Sequence, residues 1–371
     1  MESKLNEFNE DCIPNLFTLE NNGMLCYLNS LIQALMSCSS IITCLKKCQG
    51  SKSFSENKLA RLFLEIYERN SGVAPKKKCR IDDASEILLE INIARQGKDN
   101  LLPGRQEDIH EGLMLFLETI GCGLIKLFHV RHTLSIYCKT CKVDRPAGCS
   151  CPSEPVIDLS EVDPILQENL DTKQSVEKYI QQYVQVSTGY TCENCGTVNT
   201  YNKETNTEDM KVIQIYRLAK LSEIIVLMFK KYNGKSERYF PPTLEFSSKT
   251  GKLFYKIVAQ IEHSGGRNSG HYICKCLRVK PPGMHENRVK NANVLINKYE
   301  EILKDPGTSN AMKLDATERL SRVKELIAND EELRKDKCGV FLVSDGSASF
   351  YPEGFSPNSD TYMVFYHLYE P

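Results

Sequence analysis

Apolar residues in the first third of the chain recur at helical spacing. Leu28, Leu31, Ile32 and Leu35 fall at i, i+3, i+4 and i+7, and Leu59, Leu62, Phe63 and Ile66 repeat the interval. Ile109, Leu113, Phe116, Leu117 and Ile120 make a third stripe. Each predicts an amphipathic helix with one face on a core. From about Thr133 the pattern changes to short extended runs, among them 212–218, 223–229 and 253–261. Helices first and strands afterwards predict an α+β architecture. Between 280 and 337, Pro281, Pro282 and Gly283 open a charged stretch carrying Leu295, Tyr299, Ile302, Leu303, Leu320, Val323 and Leu326, the pattern of an inserted helical hairpin. Extended character resumes at 339–344 and 361–368.

Composition narrows the function classes. A chain of 371 residues can bury a large core as one to three domains. Lys and Arg number 47 against 48 Asp and Glu, so no positive field exists to collect nucleic acid. Residues 1–15 are polar and acidic, with neither the basic start nor the apolar stretch of a secretory signal. The longest strongly apolar run, 224–229, is far short of the roughly 20 residues that cross a bilayer, and reads as a buried strand. Sixteen cysteines without an export signal imply a reducing compartment, cytoplasmic or nuclear, where thiols hold metal or perform chemistry. The basic run Lys76-Lys77-Lys78-Cys79-Arg80 has equally polar flanks and reads as a solvated loop.

One cysteine stands where chemistry is favoured. In Asn21-Asn22-Gly23-Met24-Leu25-Cys26-Tyr27-Leu28-Asn29-Ser30 a glycine-containing loop runs into the first helix. The partial positive charge and open N–H groups of a helix start favour thiolate, so a lowered pKa is expected for Cys26. A base is offered by 255–272, where two extended segments meet through Ser264-Gly265-Gly266-Arg267-Asn268-Ser269-Gly270-His271-Tyr272. Glycines at 265, 266 and 270 allow close backbone approach, which suits a narrow channel. His129, His132 and His285 have no such setting and read as structural or exposed. A catalytic imidazole needs a third group to hold it, and Phe341-Leu342-Val343-Ser344-Asp345-Gly346 supplies Asp345 just after a strand. Asp-Gly is also a turn signal. The excess chain between His271 and Asp345 is the hairpin, which costs little closure entropy.

Two further motifs complete the set. Arg105-Gln106-Glu107-Asp108-Ile109-His110-Glu111-Gly112-Leu113 puts Gln106 and Asp108 at the start of the third helix, where polar groups cap backbone donors. Cys138-x2-Cys141 and Cys192-x2-Cys195 are two knuckles whose four thiolates suit one tetrahedral, structural Zn²⁺. Cys149 and Cys151, one residue apart, suit a knuckle poorly. Cysteines 12, 38, 44, 48, 79, 122, 274, 276 and 338 read as packing thiols.

These motifs, with Thr361-Tyr362-Met363-Val364-Phe365-Tyr366 closing the order, resemble the ubiquitin-specific protease family over 15–368. The resemblance implies a papain-like cysteine protease after a tail at 1–14. It comprises a helical thumb at about 15–125, zinc-pinned β fingers at about 126–225, and a β palm at about 226–371 that holds the insertion at 280–337. It implies Cys26 as nucleophile, His271 as base, Asp345 as orienter and Asn21 as an oxyanion donor. Gln106, Asp108, His263, Gly270 and Tyr272 then contact a substrate tail. The implied reaction is cleavage after the carboxyl-terminal glycine of ubiquitin, and the implied partners are ubiquitin and ubiquitinated proteins, met by a monomer with no nucleic acid and no membrane. A silent ubiquitin-binding scaffold and a protease for a ubiquitin-like modifier are the alternatives. Met24, Leu25, Gly112, Phe341, Ser344 and Gly346 depart from the family pattern.

Overall fold

The computed structural model describes residues 8–371 except 22–23, 72–82, 95–105, 148–152, 160–172, 186–188, 203–206, 210, 230–238, 249–250, 267–268, 282 and 334. The basic run 76–80, Cys149 and Cys151 lie outside the described residues, as do Asn22, Gly23, Arg105, Arg267 and Asn268.

Six helices come first: α1 (Cys26–Met36), α2 (Ser39–Cys48), α3 (Lys52–Glu56), α4 (Lys58–Asn70), α5 (Asp83–Ala94) and α6 (Ile109–Ile120). The three stripes read from sequence fall in α1, α4 and α6. In α1 the stripe understates the burial, because every residue from Cys26 to Met36 is buried. The helix is sandwiched between α2, α5 and α6 on one side and the main sheet on the other. Its polar residues are therefore bonded rather than solvated: Gln33 Nε2 donates to Phe17 O at 3.1 Å, and Arg278 Nη2 donates to Gln33 O at 2.9 Å.

The strands run β1 (Val130–Cys138), β2 (Asp144–Pro146), β3 (Ser153–Glu154), β4 (Ile157–Asp158), then helix α7 (Lys173–Gln181) and β5 (Gln182–Gln185). β6 (Thr200–Asn202), β7 (Thr207–Asp209), β8 (Val212–Lys220), β9 (Ile224–Met228), β10 (Thr243–Ser248), β11 (Gly251–Gly266) and β12 (Ser269–Val279) follow. Helices α8 (Met284–Lys304) and α9 (Asn310–Leu333) fill the stretch read as a hairpin. The chain ends in β13 (Cys338–Ser344), β14 (Ser347–Phe350) and β15 (Thr361–Tyr369).

Among the described residues these strands form one sheet ordered β2-β1-β8-β5 with β3 on β1, and a larger one ordered β14-β13-β12-β11-β15-β9-β4 with β10 on β11. β6 and β7 pair only with each other. Strands β9 and β15 of the larger sheet are buried on both faces. Along β15, Met363 and Phe365 join the core shared with the helices, while Val364, Tyr366 and Leu368 join a second core against α7 and β10. That two-sided burial gives the continuous apolar runs of β9 and β15.

No single described helix is long and apolar enough to cross a membrane. The apolar pair α1 and α2 bends by 80° and is largely buried within the core.

Candidate active site

Cys26 is the first residue of α1 and is 4% exposed. The helix packs against β12, and the backbone N–H of Tyr272 donates to the Cys26 thiol. The residue before Tyr272 is His271, so the predicted base lies one position along β12 from the residue that bonds the predicted nucleophile. The helix start predicts a lowered thiol pKa, and the shift runs the other way. Burial pushes its pKa up, against the N–H donors of Tyr272, Tyr27 and Cys26 itself, and the nearby charge of Asp345 acts in the same sense as burial. Desolvation outweighs the helix terminus here.

His271 is half-exposed near the start of β12, and its Nε2 has two neighbours on the β13–β14 turn. Ser344 Oγ lies at 2.8 Å and Asp345 Oδ2 at 3.9 Å. Only the first is a hydrogen-bond distance. Asp345 adopts φ +46°, the left-handed geometry expected of its Asp-Gly turn, and its carboxylate is engaged from the other side. Asn29 Nδ2 donates to Oδ1 at 2.7 Å and Asn21 Nδ2 to Oδ2 at 3.1 Å. Asn21 Oδ1 in turn accepts from Leu25 N at 2.8 Å, fixing the loop that delivers Cys26. Asp345 thus ties the end of β13 to the entry of α1.

Two of these contacts escaped the sequence. Asn29 and Ser344 both lie inside quoted motifs, yet their partners are more than 300 and 70 positions away in the chain, a relation no local spacing carries.

The third motif closes the other wall. Asp108 caps α6 by accepting from His110 N at 2.9 Å and also accepts from Tyr362 OH at 2.8 Å. Gln106 Nε2 lies 3.4 Å from His263 Nε2. The His263 ring sits 4.3 Å from that of Tyr272 and 6.1 Å from that of Tyr362, so Gln106, Asp108, His263, Tyr272 and Tyr362 form one packed cluster. Burial lowers the His263 pKa, against the pull of Asp108 and Asp360, which favours its neutral ring. Gly265 and Gly270 face each other across the β11–β12 pair. A Cβ on Gly270 would stand 2.5 Å from His263 Nε2, so a side chain there would displace the imidazole. At Gly112 a Cβ would meet the Tyr27 ring at 3.5 Å, and Tyr27 fills the space a larger residue would need.

The four knuckle cysteines converge at the end of the smaller sheet, their sulfurs all within 4.8 Å of one another. Cys138 and Cys195 sulfurs are 3.7 Å apart, and those of Cys141 and Cys192 3.8 Å. A tetrahedron with Zn–S bonds of about 2.3 Å has edges of about 3.8 Å, so the spacing fits such an ion. Backbone N–H groups, chiefly that of Cys141, hold the Cys138 thiol down to about 6.

Comparison with known proteins identifies the family and the fold. The family model described as ubiquitin carboxyl-terminal hydrolase matches residues 17–299. No curated protein matches the chain by sequence. Among solved structures, the SAGA DUB module Ubp8/Sgf11/Sus1/Sgf73 bound to monoubiquitin is similar with a TM-score of 0.59 at 16% identity, covering 99% of this chain and 72% of that one. The Ubp8/Sgf11/Sus1/Sgf73 module bound to ubiquitin aldehyde gives 0.57 at 15%, covering 98% and 71%. A yeast SAGA DUB module with an Sgf73 mutant gives 0.55 at 15%, covering 98% and 70%. At these identities the likeness establishes a shared fold.

Proposed function

The chain belongs to the ubiquitin carboxyl-terminal hydrolase family, whose function is deubiquitination, and on that premise we propose that it cleaves after the carboxyl-terminal glycine of ubiquitin through an acyl-enzyme on Cys26. What supports this reading is that Cys26 opens α1 against β12, whose Tyr272 N–H bonds the thiol and whose preceding residue is His271. In the first step His271 takes the proton of Cys26, and the sulfur attacks the glycine carbonyl. The oxyanion is met by the N–H of Cys26 and the amide of Asn21. Collapse expels the lysine amine, which takes its proton from His271, and water then attacks the thioester with His271 again as base. Asp345 holds Asn21 and the loop before α1.

The ubiquitin tail runs along the surface formed by Gly270 and the cluster of Gln106, Asp108, His263 and Tyr272 packed against it. Zinc at Cys138, Cys141, Cys192 and Cys195 is structural in this reading, since four thiolates leave no position open for water.

Ubiquitin carrying a carboxyl-terminal electrophile tests the proposal. One covalent adduct is expected, mapped to Cys26 by peptide mass spectrometry. Cys26→Ala loses the adduct and all turnover while still binding ubiquitin. A wild-type chain that binds ubiquitin without labelling would instead be a silent scaffold, and one that labels only with a ubiquitin-like probe has a different substrate.

A further inference from the structure

We infer that Ser344 is a positioning residue for His271, holding the imidazole in the free enzyme where Asp345 does not reach it; the inference rests on the hydrolase reading above. Both neighbours lie at the same ring nitrogen, Nε2, and the separations of 2.8 Å and 3.9 Å leave a single hydrogen bond, to the serine. The carboxylate is not idle in this geometry. Its two oxygens accept from Asn29 and Asn21, on the nucleophile side of the cleft. Swinging Asp345 onto Nε2 would strain or break those bonds and release the loop they anchor.

Ser344 is well placed for the task. It ends β13, pairs in register with Ser347, and its carbonyl accepts from Ser347 Oγ at 2.9 Å, so the backbone beneath the hydroxyl is fixed without the hydroxyl. A serine oxygen carries two acceptor sites and one donor. Accepting from Nε2–H holds the tautomer in which Nδ1 is unprotonated and available to take the thiol proton. The division of labour is then simple: Ser344 sets the ring, and Asp345 sets the nucleophile loop.

The test is steady-state hydrolysis of a fluorogenic ubiquitin conjugate by wild type and by Ser344→Ala, Ser344→Cys and Ser344→Thr. Loss of a hydrogen bond that strengthens as His271 takes the proton lowers kcat by about tenfold with KM unchanged, and threonine, which keeps the hydroxyl, recovers the rate to within about twofold. Cysteine keeps nearly the volume of serine with a weak acceptor, so it falls with alanine if the hydrogen bond matters and stays with wild type if only space does. Alanine and cysteine variants at wild-type kcat, or a threonine variant as slow as alanine, overturn the assignment. So does a loss confined to KM. Wild type without turnover overturns the hydrolase reading and this role together, whereas fast wild type beside an equally fast Ser344→Ala overturns this role alone.

Discussion

A thiol at a helix start is pulled two ways, toward ionisation by the open N–H groups and toward neutrality by removal from water. At Cys26 burial wins, and the thiol pKa rises above its ordinary value. The sign fixes a measurable consequence. A raised pKa means that the neutral, unreactive form persists to higher pH than in an unfolded peptide. Alkylation of Cys26 by iodoacetamide, followed residue by residue in the native chain, is therefore expected to be slower at pH 7 than in urea and to climb with pH beyond the usual thiol range of about 8.5. A rate already level between pH 6 and 7 would show a resting thiolate, paired with His271, and would move the proton transfer out of the catalytic cycle. The candidate nucleophile and base drew notice because each sits in an unusual local setting: Cys26 after a glycine loop, His271 after three glycines. The residues that hold them did not. Asn29 looks like one polar position in a buried helix and Ser344 like the polar end of a strand, and only the fold brings them to Asp345 and His271.

Pairs of cysteines two residues apart announce a knuckle wherever they occur, so the metal-site candidates were legible without knowledge of the strands that present them. What could not be read was the pairing. Cys138 ends β1 opposite Val212 of β8, while Cys192 and Cys195 belong to a separate turn whose Thr191 and Val198 form an isolated bridge. Such contacts are non-local, and short strands such as β2, β3 and β5 have too few residues to show a period. The same holds for α2 and α5, which no stripe singled out. A structural zinc at this cluster would tie β1 to the 192–195 turn, and its removal would free both. Purified chain is expected to contain one zinc ion, measured by atomic emission. Cys195→Ser changes an exposed ligand and little packing. It should lose the ion and lower the thermal midpoint by about 5 °C or more, because forfeiting a few kcal/mol of metal-linked folding energy shifts a domain by about 2–4 °C per kcal/mol. Probe labelling of Cys26 at low temperature should survive, since Cys26 belongs to a different core from the cluster. Unchanged melting with zinc absent would mean that thiol packing alone closes the site.

At the scale of the whole molecule, α8 and α9 divide a sheet that is otherwise continuous. β12 and β13 are antiparallel neighbours whose last register pair is Val279 with Cys338, and just beyond it Lys280 N donates to Lys337 O at 3.1 Å. That bonded pair is the geometry a two-residue hairpin turn would close. The helices pack chiefly on each other, burying Ala316 and Val323, and touch the sheet near their base through Met284, through His285 against Phe350, and through Arg288 over the Phe350 ring at 4.4 Å. Val294, Leu295, Met312 and Leu314 remain exposed. His271 lies at the opposite end of β12, about 27 Å away at roughly 3.4 Å per residue, so the pair is remote from the chemistry. Replacing 281–336 by Asn-Gly is expected to give a folded chain that labels with the ubiquitin probe at the wild-type rate, with a thermal midpoint lower by no more than about 4 °C, roughly one lost kcal/mol. Strand pairing supplies the reason: the ladder from β11 to β14 is complete without the insertion, and the shorter closure costs less entropy than the long one. A shortened chain that is insoluble or unlabelled would mean that the helices, through Phe350, hold β14 and the turn bearing Ser344 and Asp345 in place, and that the insertion is part of the catalytic frame.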